Sequence, residues 1–553
     1  MSLTMNRRSF LQGGLAASAL AALAGCKKSD DAAQGGGDAT AAAAGGNVLK
    51  FYISNPVAID PYNTQETQGT QVEHMLFDTL CGFDWDKKEV VPKAAEKWEV
   101  NDDATEFTFH LVQGAKFHNG DPVDAASFKR GWERICDSTM PEPSVIAYHL
   151  DPVKGAKEMS EGKATELSGV EVVDENTLKV TLNAPMADFP YVCAHPALAP
   201  VPQAALDDPS AFLTAPIGNG PFKMDGSWVA DQYINLVRND DYYGEKAKID
   251  GIYFSIQKDP ETAFREFEAG NIDFVDIPTG RMAEIGEKYG LADDGYTVTP
   301  GKQALTGPEA GVYYLLLNQN DETLKDPVVR KAISLAINRQ NIIDTLFEGT
   351  RVAADCIFPR VIDDDASNVW EFCHYDKDAA IKLLDEKYPA DSKGKRGIKV
   401  SLSYNSDGGH GDLMSIVQGD LEAVGIEVTQ DSLEWAAYLK AMGDGTYQVA
   451  RLGWNADYPT MDNFLYPIFL STSENNYSKY NNPAVDEALQ QARQITDEEK
   501  RKQAYRQINK LVGADMPVVP IMFYSHMQVG SDKLKSFYYD PQTKGEFAKA
   551  EMA

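Results

Sequence analysis

From residue 47 onward, the spacing of apolar residues switches repeatedly between two and about 3.6, and this switching most limits the fold. "TEFTFHLVQ" (Thr105–Gln113) sets Phe107, Phe109 and Leu111 on one face, and "NTLKVTL" (Asn176–Leu182) does so with Leu178, Val180 and Leu182. Side chains alternate between the faces of a strand, so both segments predict half-buried strands. "DPETAFREFEAGNIDF" (Asp259–Phe274) predicts a helix with Asp259 as N-cap, Pro260 in the first turn and Gly270 as stop. "DPVVRKAISLAIN" (Asp326–Asn338) repeats the Asp-Pro start and carries Val329, Ile333 and Ala336 on one stripe. "TDEE" at Thr496–Glu499 reads as a capping box opening a late charged helix. The apolar "MPVVPIMFYSHMQV" (Met516–Val529) that follows reads as a closing strand. No internal repeat is evident. A mixed α/β chain in more than one lobe is expected.

The start of the chain indicates where it works. "MNRRSFLQGGLAASALAALAGC" joins a paired-arginine region (Arg7, Arg8) to a Gly/Ala/Leu run that is too short and glycine-rich to span a membrane. It ends in Leu23-Ala24-Gly25-Cys26. This resembles a bacterial lipoprotein signal over residues 1–25, with Cys26 as the lipidated first residue of the mature chain, and "RRSFLQ" resembles a twin-arginine export signal. The plainer alternative is an ordinary signal peptide with an incidental Cys26. Residues 26–46 are mostly Ala, Gly and Asp with no large apolar side chain, which predicts a flexible tether. Anchor and tether together imply an exported protein on the extracytoplasmic face of a membrane, in a periplasm or at a cell surface.

With 43% hydrophobic residues the remainder can bury a sizeable core. The formal charge of −31, from 52 basic and 83 acidic residues, argues against nucleic acid or an anionic membrane surface as partner. Acid excess that keeps an exported protein soluble accounts for it. Beyond Cys26 there are Cys81, Cys136, Cys193, Cys356 and Cys373, an odd set without CxxC. A Cys356–Cys373 disulfide, closing one compact loop, is the favoured pairing. There is no GxSxG, HExxH or Walker motif, and "GNGPF" (Gly218–Phe222) reads as a turn before a strand. The eight histidines are scattered, so neither metal nor cofactor is expected. Binding is favoured over catalysis.

"KAAEKWEVNDDATEFTFHLVQGAKFHNGDPVDAASFKRGWERI" (Lys93–Ile135) resembles the signature region of the extracellular peptide-binding proteins that feed ATP-driven importers. The resemblance continues through "GNGPFKMDGSW" (Gly218–Trp228), "EFEAGNIDF" (Glu266–Phe274), "DPVVRKAISLAINRQNII" (Asp326–Ile343) and "RLGWNADYP" (Arg451–Pro459), in the family's order. It is stronger toward oligopeptide-binding members than toward nickel- or haem-binding ones. It implies the large, three-domain variant of the two-lobed periplasmic-binding-protein fold, closing on ligand by a hinge. Lobe I would take residues 47–82, 194–305 and 478–553, an inserted subdomain residues 83–193, and lobe II residues 306–477.

The resemblance also implies a site. In the family, the aspartate of the "W-x-A-D-Y" segment receives the α-ammonium of the bound peptide, and here it is Asp457. One carboxylate recognises every peptide this way, through a charge-assisted hydrogen bond. Read alone, Asp457 caps a turn before Pro459 or pairs with Arg451. Arg451 and His410 match residues used for ligand carboxylates; read alone they are a structural arginine and a loop histidine. The Arg451–Asn455 strand, including Gly453 and Asn455, would pair with an extended ligand, with Gly453 permitting close approach. Trp454, Trp435 and Tyr148 match positions near side-chain pockets, against the alternative of ordinary packing. Glu66 is a further cleft acid. Glu348 and Met442 stand where relatives carry cations for very short peptides, which tells against dipeptide capture, and the acid excess points to basic ligand side chains.

The expected partners are therefore short peptides, the permease and ATPase subunits of an ABC importer, and a membrane reached through the anchor, with the protein itself a monomer. The rivals are another solute (a nickel chelate, haem, an oligosaccharide or an antibiotic-like peptide) and a transport-independent, peptide-sensing or chaperone-like lipoprotein.

Overall fold

Two large sheets carry the chain, each assembled from strands far apart in sequence. The computed structural model describes residues 46–553 except 65, 366–368 and 407–408. The leader, Cys26 and nearly all of the tether lie outside the described residues. Among the described residues, no helix is long and apolar enough to cross a membrane.

The first sheet has seven strands, in the order Ala304–Leu305, Gln528–Gly530, Phe274–Asp276, Val48–Ile53, Gly251–Ile256, Tyr233–Arg238 and Phe222–Met224. Its centre is the parallel pair Val48–Ile53 and Gly251–Ile256. Leu49, Phe51, Ile252 and Phe254 are buried there together on one face of the sheet, as alternation along a strand requires. The adjoining helix Pro260–Glu268 starts as its sequence predicts: the Asp259 carboxylate accepts from the Thr262 amide at 2.8 Å. The second sheet has six strands, in the order Val352–Ala353, Val518–Ser525, Pro308–Leu317, Val449–Asn455, Lys399–Asn405 and Glu427–Leu433. A separate four-stranded antiparallel sheet contains both strands predicted from period-two spacing, as Glu106–Leu111 and Thr177–Thr181. Helix Ala125–Cys136 covers it and buries Trp132, whose indole N–H donates to the Leu198 carbonyl at 2.9 Å.

The chain passes between the large sheets through residues 306–307 and returns through residues 526–527. The two passages touch, since the His526 amide donates to the Gly307 carbonyl at 2.8 Å. Two lobes result. The return comes later than the expected boundary at residue 478. Helices Pro483–Arg493 and Glu498–Asp515 put Val485, Leu489, Tyr505 and Val512 into the core of the second sheet. For the same reason Met516–Val529 is not one strand: Val518–Ser525 belongs to the second sheet and Gln528–Gly530 to the first. The cap of the late helix is Asp497, whose carboxylate accepts from the Lys500 amide at 3.0 Å, rather than Thr496.

No disulfide joins Cys356 to Cys373; both are buried free thiols. Cys356 Sγ lies 3.6 Å from the Phe358 carbonyl and Cys373 Sγ 3.3 Å from the Ala354 carbonyl, so each thiol has its own backbone acceptor. Burial pushes both thiols up, which disfavours the reactive thiolate. Unfolding in denaturant without reductant should therefore make both alkylatable by iodoacetamide, as read by peptide mass; protection of both would show a bridge.

Asp60, before the first helix, and Arg134, on the helix of the four-stranded subdomain, form a bidentate pair with both contacts at 2.6 Å and almost no exposure. Removing one partner from such a pair strands the other in low dielectric. Arg134→Met is expected to lower the unfolding free energy by about 3–5 kcal/mol, measured by urea denaturation. Adding Asp60→Leu should restore much of the loss.

Candidate ligand-binding site

The Val449–Asn455 strand pairs with Pro308–Leu317 along its whole length but with Lys399–Asn405 only at Val449 and Ala450. Among the described residues, the edge from Arg451 to Asn455 therefore has no strand on that side. The backbone beyond it turns through Ala456 and Asp457, held by the Gln542 side-chain amide, which donates to the Ala456 carbonyl at 2.9 Å.

Asp457 sits half-buried at the end of this edge. Its Oδ2 accepts from the Tyr148 hydroxyl and from the Asn463 side-chain amide, each at 3.0 Å. Among the described residues no side-chain or backbone donor reaches Oδ1, and no ion pair involves Asp457. The alternative of a pair with Arg451 is thus not what the structure shows. Asn463, fully buried on helix Met461–Phe469, also accepts from the Asp457 amide and from the Trp454 indole N–H, both at 3.0 Å. A single amide side chain fixes both the carboxylate and the tryptophan beside it. Burial and the adjacent Asp457 charge push the Tyr148 phenol well above its usual value, so it remains a donor.

Beneath Tyr148 lie two buried imidazoles. The His149 ring is 4.2 Å from those of Tyr148 and His195, and neither of its nitrogens has a hydrogen-bond partner. Burial holds His149 below its ordinary value, opposed by Asp457, and His195 well below. Donor atoms of His149, His195 and Asp457 fall within 4.8 Å of one another. As metal ligands they fit poorly. The imidazoles are stacked at 28°, so their in-plane lone pairs run side by side, and His195 Nδ1 already accepts from the Ala197 amide. Lys544, absent from the sequence reading, is pushed down to about 8 by burial, opposed by Asp540 and Asp457.

Positive charge gathers toward the other end of the strand. The Arg451 guanidinium lies 5.5 Å from the centre of the Tyr313 ring, and its Nη2 meets Nε2 of His410 at the start of helix His410–Glu422. The structure thus brings together the two residues expected to meet carboxylates. Arg451 Nε is buried without a partner, and among the described residues no acid pairs with it. Arg351, also missed from sequence, places its guanidinium over the Phe347 ring at 4.3 Å and the Tyr524 ring at 5.3 Å.

Two expectations change, for Glu66 and Gly453. Glu66 is the N-cap of helix Thr67–Leu76: its oxygens accept from the Gly69 amide at 2.8 Å and the Val57 amide at 3.0 Å. It is a structural acid whose oxygens already serve amides. A Cβ on Gly453 would come within 2.2 Å of the Tyr524 hydroxyl, so the space saved by glycine there is filled by that tyrosine rather than left for a ligand. Trp435, 37% exposed, stacks on Tyr438 at 6.0 Å, and Asn455 is exposed at the strand end. Neither touches Asp457. The arrangement as a whole is complementary to a dipolar ligand: an open carboxylate oxygen at one end, the Arg451 guanidinium short of an anion at the other, and between them an edge with no strand paired to it among the described residues.

Comparison with known proteins gives the family and the fold. Residues 89–476 match the family model described as "Bacterial extracellular solute-binding proteins, family 5 Middle". The oligopeptide-binding protein OppA of Bacillus subtilis is 28% identical over 495 residues, covering 87% of this chain and 88% of that protein. The crystal structure of Haemophilus influenzae OppA in complex with RPPGFSPFR superposes with a TM-score of 0.76 at 27% identity, covering 91% of this chain and 99% of that one. A binding protein from Helicobacter pylori, DppA, in complex with peptide STSA, gives a TM-score of 0.77 at 25% identity, covering 91% and 98%. With a fold of two lobes and a family model spanning most of its length, the chain belongs to family 5 of the bacterial extracellular solute-binding proteins.

Proposed function

We propose that this protein captures short peptides at the Arg451–Asp457 edge and delivers them to an ABC-type importer, held at the outer face of the cell membrane by a lipid on Cys26. The observation that carries this reading is Asp457: a half-buried carboxylate with one oxygen held by neutral donors and no cation paired with it among the described residues. A peptide α-ammonium supplies the missing charge and a short hydrogen bond. The open edge beside it offers main-chain pairing that is blind to side chains, and Trp454 and Trp435 flank the ligand's own side chains. Arg451 and His410 would take its carboxylate. Names of relatives support the same ligand class, since two of the similar proteins are named or solved with peptides.

Calorimetric titration with defined peptides of varied length tests the reading, with binding expected for free peptides and strongly weakened by N-acetylation. Asp457→Ala should lose about 3–5 kcal/mol of binding, because it leaves a ligand ammonium buried and unpaired. Absence of heat across all lengths would remove the proposal. Cys26→Ala is expected to shift the protein from the membrane fraction to the soluble fraction of the envelope; an unchanged distribution would remove the anchor.

A further inference from the structure

A cleft opens in the first lobe at the carboxyl ends of the neighbouring parallel strands Val48–Ile53 and Phe274–Asp276. Open sheets take ligands at such strand ends. Asp276 closes its strand there, half-buried in the cleft wall. Its Oδ1 accepts from the Gln528 side-chain amide at 3.1 Å, and among the described residues no cation pairs with it. Burial, opposed by that hydrogen bond, pushes the carboxyl up to about 6, so it is ionised at neutral pH. Glu309 adds a second negative charge nearby, and the buried His526 that could offset Asp276 faces Glu309 instead, at 3.2 Å. A desolvated carboxylate beside another acid is costly without a cation.

The opposite wall offers a donor. Gln71, on helix Thr67–Leu76, is 3% exposed. Its Oε1 accepts from the Gly545 amide at 3.1 Å, which fixes the side-chain orientation and leaves Nε2 buried without a partner at the cleft. The cleft therefore presents an acid in need of a cation and an N–H in need of an acceptor. A cationic amino-acid residue carries both, one on its side chain and one on its backbone.

Thr543, also in the wall, places the cleft beside Asp457. The preceding residue, Gln542, donates through its side-chain amide to the Ala456 and Asp457 carbonyls at 2.9 and 3.3 Å. The same turn of chain thus borders the cleft and supports the carboxylate assigned to the ligand's ammonium. At about 3.3 Å per residue, the first three residues of an extended ligand cover about 10 Å from that carboxylate.

Resting on the peptide-binding reading above, we propose that this cleft selects peptides with lysine or arginine at one of their first three positions. Asp276 pairs with the side-chain charge, and the Gln71 amide donates to a carbonyl oxygen of the same residue. The preference comes from one acid at one place, which an overall excess of acidic residues would not produce.

The test is calorimetric titration of tetraalanine peptides carrying lysine, norleucine or glutamate at position 1, 2 or 3. Norleucine keeps the length of the lysine chain without its charge. At one of the three positions the wild type is expected to bind the lysine peptide at least about ten-fold tighter than the norleucine peptide, the usual scale of a charged hydrogen bond. Acetylation of that lysine's side chain should bring it down to the norleucine level, and glutamate there should bind more weakly than either. Asp276→Asn should close the gap between lysine and norleucine, while Asp276→Glu should keep part of it. Equal binding of lysine and norleucine at all three positions by the wild type overturns the proposal without needing any variant. A gap that survives unchanged in Asp276→Asn, or on acetylation, overturns it as well. Failure of the wild type to bind any of these peptides would instead remove the peptide reading, and this proposal with it.

Discussion

Everything at the site depends on how Asp457 is held without being neutralised. Tyr148 of the four-stranded subdomain and Asn463 of the helix behind the site both give hydrogen bonds to the same oxygen, and neither carries charge. A buried lysine or arginine in their place would satisfy the acid permanently and leave nothing to attract a ligand. Neutral donors orient the group while keeping its charge available. The neighbouring residue shows the same economy of position. Tyr458 is buried in the core of the subdomain, so the turn bearing Asp457 is clamped from the opposite side by its own side chain.

The polarity of the edge follows from that clamp. Asp457 lies just beyond one end of the Arg451–Asn455 segment, and the Arg451 guanidinium, without an acid partner among the described residues, lies at the other. Between them, among the described residues, no strand pairs with one side of the backbone, where the Arg451 carbonyl accepts from the Tyr438 hydroxyl. A net charge of −31 has little to do with this: most acids are engaged in caps, turns and surface pairs, and the site is set by a few groups whose partners are absent.

Much of the scaffold is legible in the sequence because it rests on local rules. Phe107, Phe109 and Leu111 are buried on one face as alternation requires, and Asp259 caps its helix as the Asp-Pro start predicts. The break inside Met516–Val529 is not legible. The apolar run is continuous there, and only pairing with two different sheets shows that His526 marks a passage between them. Glu66 and Gly453 are instructive in the same way. Each has the residue type suited to a ligand site, yet cap geometry claims the first and the Tyr524 ring claims the space beside the second. Asn463 belongs to no recognisable motif, and its importance comes from which groups surround it in space.

The bond from the His526 amide to the Gly307 carbonyl has a mechanical meaning. Two linkers that run independently would let the halves of the molecule slide, splay or twist with several degrees of freedom. Stapled side by side, they define one line about which a turn leaves the staple intact, whereas a sideways shift must break it. The pairing thereby favours a turn about that line over a sideways shift, like the cover of a book along its spine.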